Sequence, residues 1–150
     1  MSYFQFADPS RAVINGGFTA NATGEIKTGL LVLADSSQKL TLAGIGDKPT
    51  GIALSARTIV PNVLRTAVTL TAGETCSVVS GNVLAWADAD YFYALPAATN
   101  AIYTYTGGLM HTSGSTLIGT CLKVSNYRTP ANTTTNIAQV LLTLGGYFSE

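Results

Sequence analysis

Ala72-Gly73-Glu74-Thr75-Cys76-Ser77-Val78-Val79-Ser80-Gly81-Asn82-Val83-Leu84-Ala85 decides the fold. Two short apolar runs, 75–79 and 83–85, each follow residues that tolerate a positive φ, first Ala72-Gly73 and then Ser80-Gly81-Asn82, which is how tight hairpins are written. The same rhythm continues outward in both directions. Apolar runs alternate with Gly, Asn, Asp and Pro about every ten residues, the spacing of an antiparallel sandwich or barrel. The reading predicts strands at 30–33, 39–42, 50–56, 67–70, 75–79, 83–85, 102–105, 117–124 and 137–144. An internal echo joins Thr50-Gly51-Ile52-Ala53-Leu54 to Ile118-Gly119-Thr120-Cys121-Leu122, each with a glycine early in an apolar strand, where bulges and barrel corners fall.

Composition agrees. Thr, Val and Ile make 39 of 150 residues and the aromatics add 13, whereas the Lys, Glu, Gln and Arg that coat soluble helices are scarce. The expected fold is therefore all-β: a small antiparallel β-barrel or sandwich with an extended N-terminal arm and little helix. Residues 1–16 form the arm, since Tyr3, Phe4 and Phe6 precede Asp8-Pro9-Ser10-Arg11 and then Val13, Ile14 and Asn15-Gly16-Gly17. Such a segment either packs back on the core or reaches another chain. Residues 17–150 form a single β domain, with long loops near 86–100 and 126–136.

Charge narrows the partners. Eight basic residues balance eight acidic ones, and charged residues are 11% of the chain, well under the roughly 25% usual for soluble domains. Nucleic acid and membrane are poor partners for a chain with no basic stripe, and no apolar stretch approaches the ~20 residues of a spanning helix. The N-terminus has no apolar core of a signal peptide, so synthesis in the cytoplasm is expected. There, Cys76 and Cys121 read as buried small hydrophobes, and the sequons at Asn21 and Asn132 carry little meaning.

The inventory for chemistry is thin. His111, the only histidine, lies in the glycine-bounded stretch 107–114 and reads as a surface residue. One His and two remote Cys do not make a zinc site. Asp88 and Asp90 share a face if extended, but their neighbours offer too few oxygens for calcium, and a solvated turn is the simpler reading. Gly44 and Gly46 precede a β-branched run rather than a helix, which argues against a phosphate-binding loop. No catalytic, metal or cofactor-binding residue is expected, and the protein is read as not an enzyme. Trp86, Tyr91, Phe92, Tyr93, Tyr103 and Tyr105 supply the alternative, a stacking platform for sugars in a carbohydrate-binding or adhesin module on a fibre or spike.

Over about two-thirds of its length the chain resembles the head-decoration, or capsid cement, proteins of tailed bacteriophages. The resemblance lies in Thr28-Gly29-Leu30-Leu31-Val32-Leu33, in Leu40 to Ala53, in Ala72 to Val83 and in Leu117-Ile118-Gly119-Thr120-Cys121-Leu122. Its structural glycines are Gly29, Gly51, Gly73, Gly81 and Gly119. It implies a virion structural protein on the outer surface of an expanded capsid, bound as a homotrimer and clamping neighbouring major capsid proteins to stabilise the shell. Tyr3, Phe4, Phe6, Arg11, Val13 and Ile14 are the expected capsid-binding residues: the arm adds a strand to a partner's sheet edge, with Phe4 and Phe6 filling pockets from one face. On that reading, removal of residues 1–14 leaves the domain folded.

Overall fold

A computed structural model describes residues 3–7, 12–21, 26–55, 65–66, 69–128 and 132–145. Arg11, Ala56, residues 67–68 and 129–131 lie outside the described residues. Thirteen strands are described, and the molecule is built on one of them. β9 (Thr75–Asp88) runs for 14 residues straight through Ser80-Gly81-Asn82, which corrects the expected hairpin there. Gly81 alone takes a positive φ, +85°. Ser80 stays paired with Val13 and Asn82 with Thr143, so the left-handed residue between them bends the strand without reversing it.

That bend divides β9 into two environments. Before it, β9 lies between β2 (Ala12–Ala20) and β6 (Gly51–Ser55), and β4 (Leu31–Ala34) and β5 (Lys39–Leu42) complete the ring β9-β2-β5-β4-β6. This is a closed five-stranded barrel, and closure removes the free edges that a small sheet otherwise exposes. Its pairings are antiparallel except β2 with β5, where Thr19 faces Lys39 and Ala20 faces Leu40 in parallel. The 18 residues between those strands hold β4 and leave room for the crossover a parallel pair needs.

After the bend, β9 lies between β1 (Tyr3–Phe6) and β13 (Thr134–Leu144). The sheet continues through β12 (Leu117–Arg128) and β10 (Ala101–Thr104) to β11 (Met110–His111). β7 (Arg65–Thr66) pairs with β1, while β3 (Ile26–Lys27) and β8 (Thr69–Leu70) form a separate two-stranded sheet. The far hairpin folds back on the barrel: the Gly108 N–H donates to the Ala43 carbonyl at 2.8 Å and the Thr116 hydroxyl to the Gly46 carbonyl at 2.7 Å.

Strand alternation sorts the apolar residues into two cores. Phe18, Val32, Leu40, Ala53, Cys76 and Val78, drawn from all five barrel strands, fill the barrel, joined by Ile26 and Leu70 of the small sheet. Their sequence neighbours Leu31, Ile52, Leu54 and Val79 face outward and meet Phe4, Tyr91, Ile102 and Leu142 in the larger core beneath the folded-back sheet.

The two expected long loops fare differently. Between 86 and 100 the chain leaves β9 through a 3-10 turn at Ala89–Tyr91, and the excursion plugs the core: Tyr91 is buried and its hydroxyl donates to the Thr28 carbonyl at 2.6 Å. Between 126 and 136 much of the expected loop is strand, with Asn126 opposite Asn136 and Arg128 opposite Thr134. Asn126, Arg128, Thr134 and Asn136 are the exposed side of this strand pair, polar residues that composition alone reads as loop.

Candidate functional site

The first strand of the expected binding arm pairs with β9 of its own chain. Phe4 and Phe6 do share a face, with ring centroids 5.0 Å apart, but the pocket they fill belongs to their own chain. Phe4 lies 5.3 Å from Tyr91, and Tyr3 and Phe4 are each 6% exposed. Phe6 is half-buried against the same core. The strand is also tied at its start, where Asp88 accepts the Tyr3 N–H on one carboxylate oxygen at 2.9 Å and the Asp90 N–H on the other at 3.1 Å. Burial pushes the Asp88 carboxyl above its usual range, against the pull of those two donors; Asp90 adds to the rise and Lys27 opposes it. The pair read as a solvated turn is thus half structural: Asp88 is a buried clamp, and Asp90 is exposed beside it.

Val13 and Ile14 are placed differently. They are 54% and 46% exposed at the start of β2. Successive strand residues point to opposite faces, so exposure of both means that each face of β2 is open to solvent there. Further apolar exposure lies on Leu117 and on Leu122, the bulged residue of β12, and on Leu141, whose cross-strand neighbours are Thr120 and Leu84. Trp86 sits on the outer sheet face in a small cluster with Tyr3, Ile137 and Tyr127, and the Lys123 ammonium stands 5.5 Å from its ring.

The residues with reactive potential are dispersed. Cys76 lies in the barrel core and Cys121 in the larger one, both as free thiols. Burial raises both thiols above their ordinary pKa; Glu74 adds to the rise at Cys76, and a main-chain hydrogen bond to Lys123 opposes it at Cys121. Among the described residues no three His, Cys, Asp or Glu side chains come together in a way that holds a metal ion. His111 stands on the short strand β11 rather than in a free loop, half-buried between Tyr93 and Tyr105. The six aromatics grouped in the sequence therefore separate. Tyr91 and Phe92 go to the core, Trp86 goes to the outer face, Tyr93 and Tyr105 join the histidine, and Tyr103 stays half-buried on β10 opposite His111. The association of His111 with two tyrosines had no signal in spacing, because β10 and the 3-10 turn at Thr106–Gly108 bring 93, 105 and 111 together through main-chain pairing.

The structural glycines hold special positions. A Cβ on Gly51 would strike the Val79 carbonyl oxygen, and one on Gly119 the Leu141 carbonyl oxygen, so the echoed strand glycines both permit close backbone approach. Gly29 and Gly73, like Gly81, have positive φ. No protein family, curated protein or solved structure matches the chain. Among the described residues no helix is long and apolar enough to cross a membrane.

Proposed function

We propose that the protein is a non-enzymatic structural protein that binds the outer surface of an expanded phage capsid as a homotrimer and stabilises it by clamping neighbouring major capsid proteins. The observation that carries this reading is the two-sided exposure of Val13 and Ile14 on a strand of a molecule with few charges. An apolar strand segment partly exposed on both faces suits a surface that holds by shape and burial. Binding of this kind is insensitive to salt, unlike binding steered by charge. The resemblance in 28–33, 40–53, 72–83 and 117–122 supplies the class of partner.

Mechanically, a trimer engages several capsid subunits at once, so modest contacts combine through high effective concentration. A trimer that fits the mature lattice better than the unexpanded shell lowers the free energy of the expanded state by its difference in affinity for the two. The anchor is moved inward relative to the sequence reading. Tyr3 and Phe4 are committed to their own core, and Val13 and Ile14 take the contact. Truncation of residues 1–14 is accordingly a test of folding rather than of docking, because it removes β1 and the start of β2.

Co-sedimentation with purified expanded shells tests the reading. The intact protein is expected to pellet with shells and raise their melting temperature, and the double variant V13D/I14D to stay in the supernatant while keeping its own unfolding transition. Equal pelleting of the variant would remove Val13 and Ile14 from the interface, and failure of the intact protein to pellet would end the capsid reading.

A further inference from the structure

Three rings meet where the chain leaving β9 passes β11. Tyr93 and His111 have centroids 4.6 Å apart and planes tilted by 33°; Tyr105 lies 5.1 Å from Tyr93 and meets His111 edge-on at 4.8 Å. The main chain holds each in place. The Tyr93 N–H donates to the Met110 carbonyl at 2.8 Å and the Tyr105 N–H to the Leu109 carbonyl at 2.9 Å, while His111 faces Tyr103 across the β10–β11 pair. Despite this bracing, Tyr93 is 62% exposed.

An exposed ring held on two sides has already given up much of its rotamer freedom, so a ligand that lands on it does not bear that cost again. The geometry also restricts the ligand. An aromatic cage for a quaternary ammonium holds the cation within about 6 Å of several centroids, in a space between rings; here the three rings pack on one another at 4.6 to 5.1 Å and form no cage. What they offer is an exposed tyrosine ring, Tyr93, beside two other rings that carry hydrogen-bonding groups. His111 Nδ1 accepts the Thr112 N–H at 2.8 Å, which places the proton of the neutral ring on Nε2 as a donor. The Tyr93 and Tyr105 hydroxyls can donate or accept.

We infer that Tyr93, Tyr105 and His111 form a binding site for a pyranose with equatorial hydroxyls. A sugar ring with equatorial hydroxyls has a flat C–H face to lay on Tyr93 and a rim of hydroxyls to meet His111 Nε2 and the tyrosine hydroxyls, whereas a wholly apolar ligand leaves those groups unpaired. The site stands apart from Val13 and Ile14 in the sheet order, so it adds glycan attachment to whatever surface those residues engage.

The test titrates the full chain with cellohexaose and with chitohexaose, followed by amide NMR. Saturable shifts centred on residues 93, 105 and 111 are expected with at least one of the two, at a Kd of about 1 mM. Tyr93→Ala, at an exposed position, is expected to keep the dispersed spectrum and weaken binding about tenfold, and Tyr93→Trp to restore it. Absence of shifts at these residues with both hexasaccharides, unchanged affinity in Tyr93→Ala, or tighter binding of adenosine monophosphate at the same residues would each overturn the assignment.

Discussion

At the scale of the residue, three glycines of the sequence reading can be set against one another by what surrounds them. Gly51 and Gly119 sit where a side chain would enter a neighbouring strand's carbonyl, while Gly73 has φ +81° and nothing within 4 Å. Gly51→Val and Gly119→Val are therefore expected to cost more than about 2 kcal/mol, because backbone cannot yield as a flexible side chain can. Gly73→Ala carries only its conformational penalty, about 1 kcal/mol. Urea unfolding of the three variants checks the order, and a Gly51→Val midpoint as high as that of Gly73→Ala would contradict the close approach. Asp88 gives a prediction in pH. Its carboxyl is raised in the folded chain, so the folded state holds the proton more tightly than the unfolded one. Its contribution is fully present below the ordinary value of 3.8 and is lost as pH rises through the raised value. In urea unfolding across that window, the wild type is expected to lose ground to Asp88→Asn as pH rises; a gap that stays constant or moves the other way would show that Asp88 is not raised.

At the scale of the element, β1 distinguishes what the sequence tells from what it withholds. Deleting the Phe4 ring by Phe4→Ala empties a buried site against Tyr91 and is expected to cost about 3 to 5 kcal/mol in thermal or urea unfolding. An arm that merely awaited a partner would lose almost nothing. The alternation that puts Phe4 and Phe6 on one face was legible, yet which sheet they join was not, because that depends on pairing with Ala87 and Ala85, some 80 positions away. The strand at Lys39–Leu42 was legible to the residue, since turn residues bound it on both sides. β9 was read as two strands because Gly81 looks the same in a tight turn and in a bend. The all-β barrel class was legible in composition. The parallel pairing of β2 with β5 and the meeting of His111 with Tyr93 were not, for both arise from long-range register.

At the scale of the whole molecule, the capsid reading makes a claim about the kind of force involved, which salt can separate from its rivals. Charged groups are 11% of the chain and cancel in number, so net charge supplies no long-range attraction to a shell. If Val13, Ile14 and their like hold the contact, burying apolar area is the main favourable contribution, and mobile ions do not screen it. Binding carried by a few ion pairs would instead fall steeply as the Debye length shrinks from about 10 Å at 0.1 M salt to about 3 Å at 1 M. The fraction of protein that co-sediments with expanded shells is therefore expected to stay level or rise across that range, and light scattering after size exclusion is expected to report a trimer throughout. A steep loss of decoration with salt would assign the contact to charged groups, and a monomer at every concentration that decorates shells would remove the multivalent clamp, leaving each contact to hold on its own affinity.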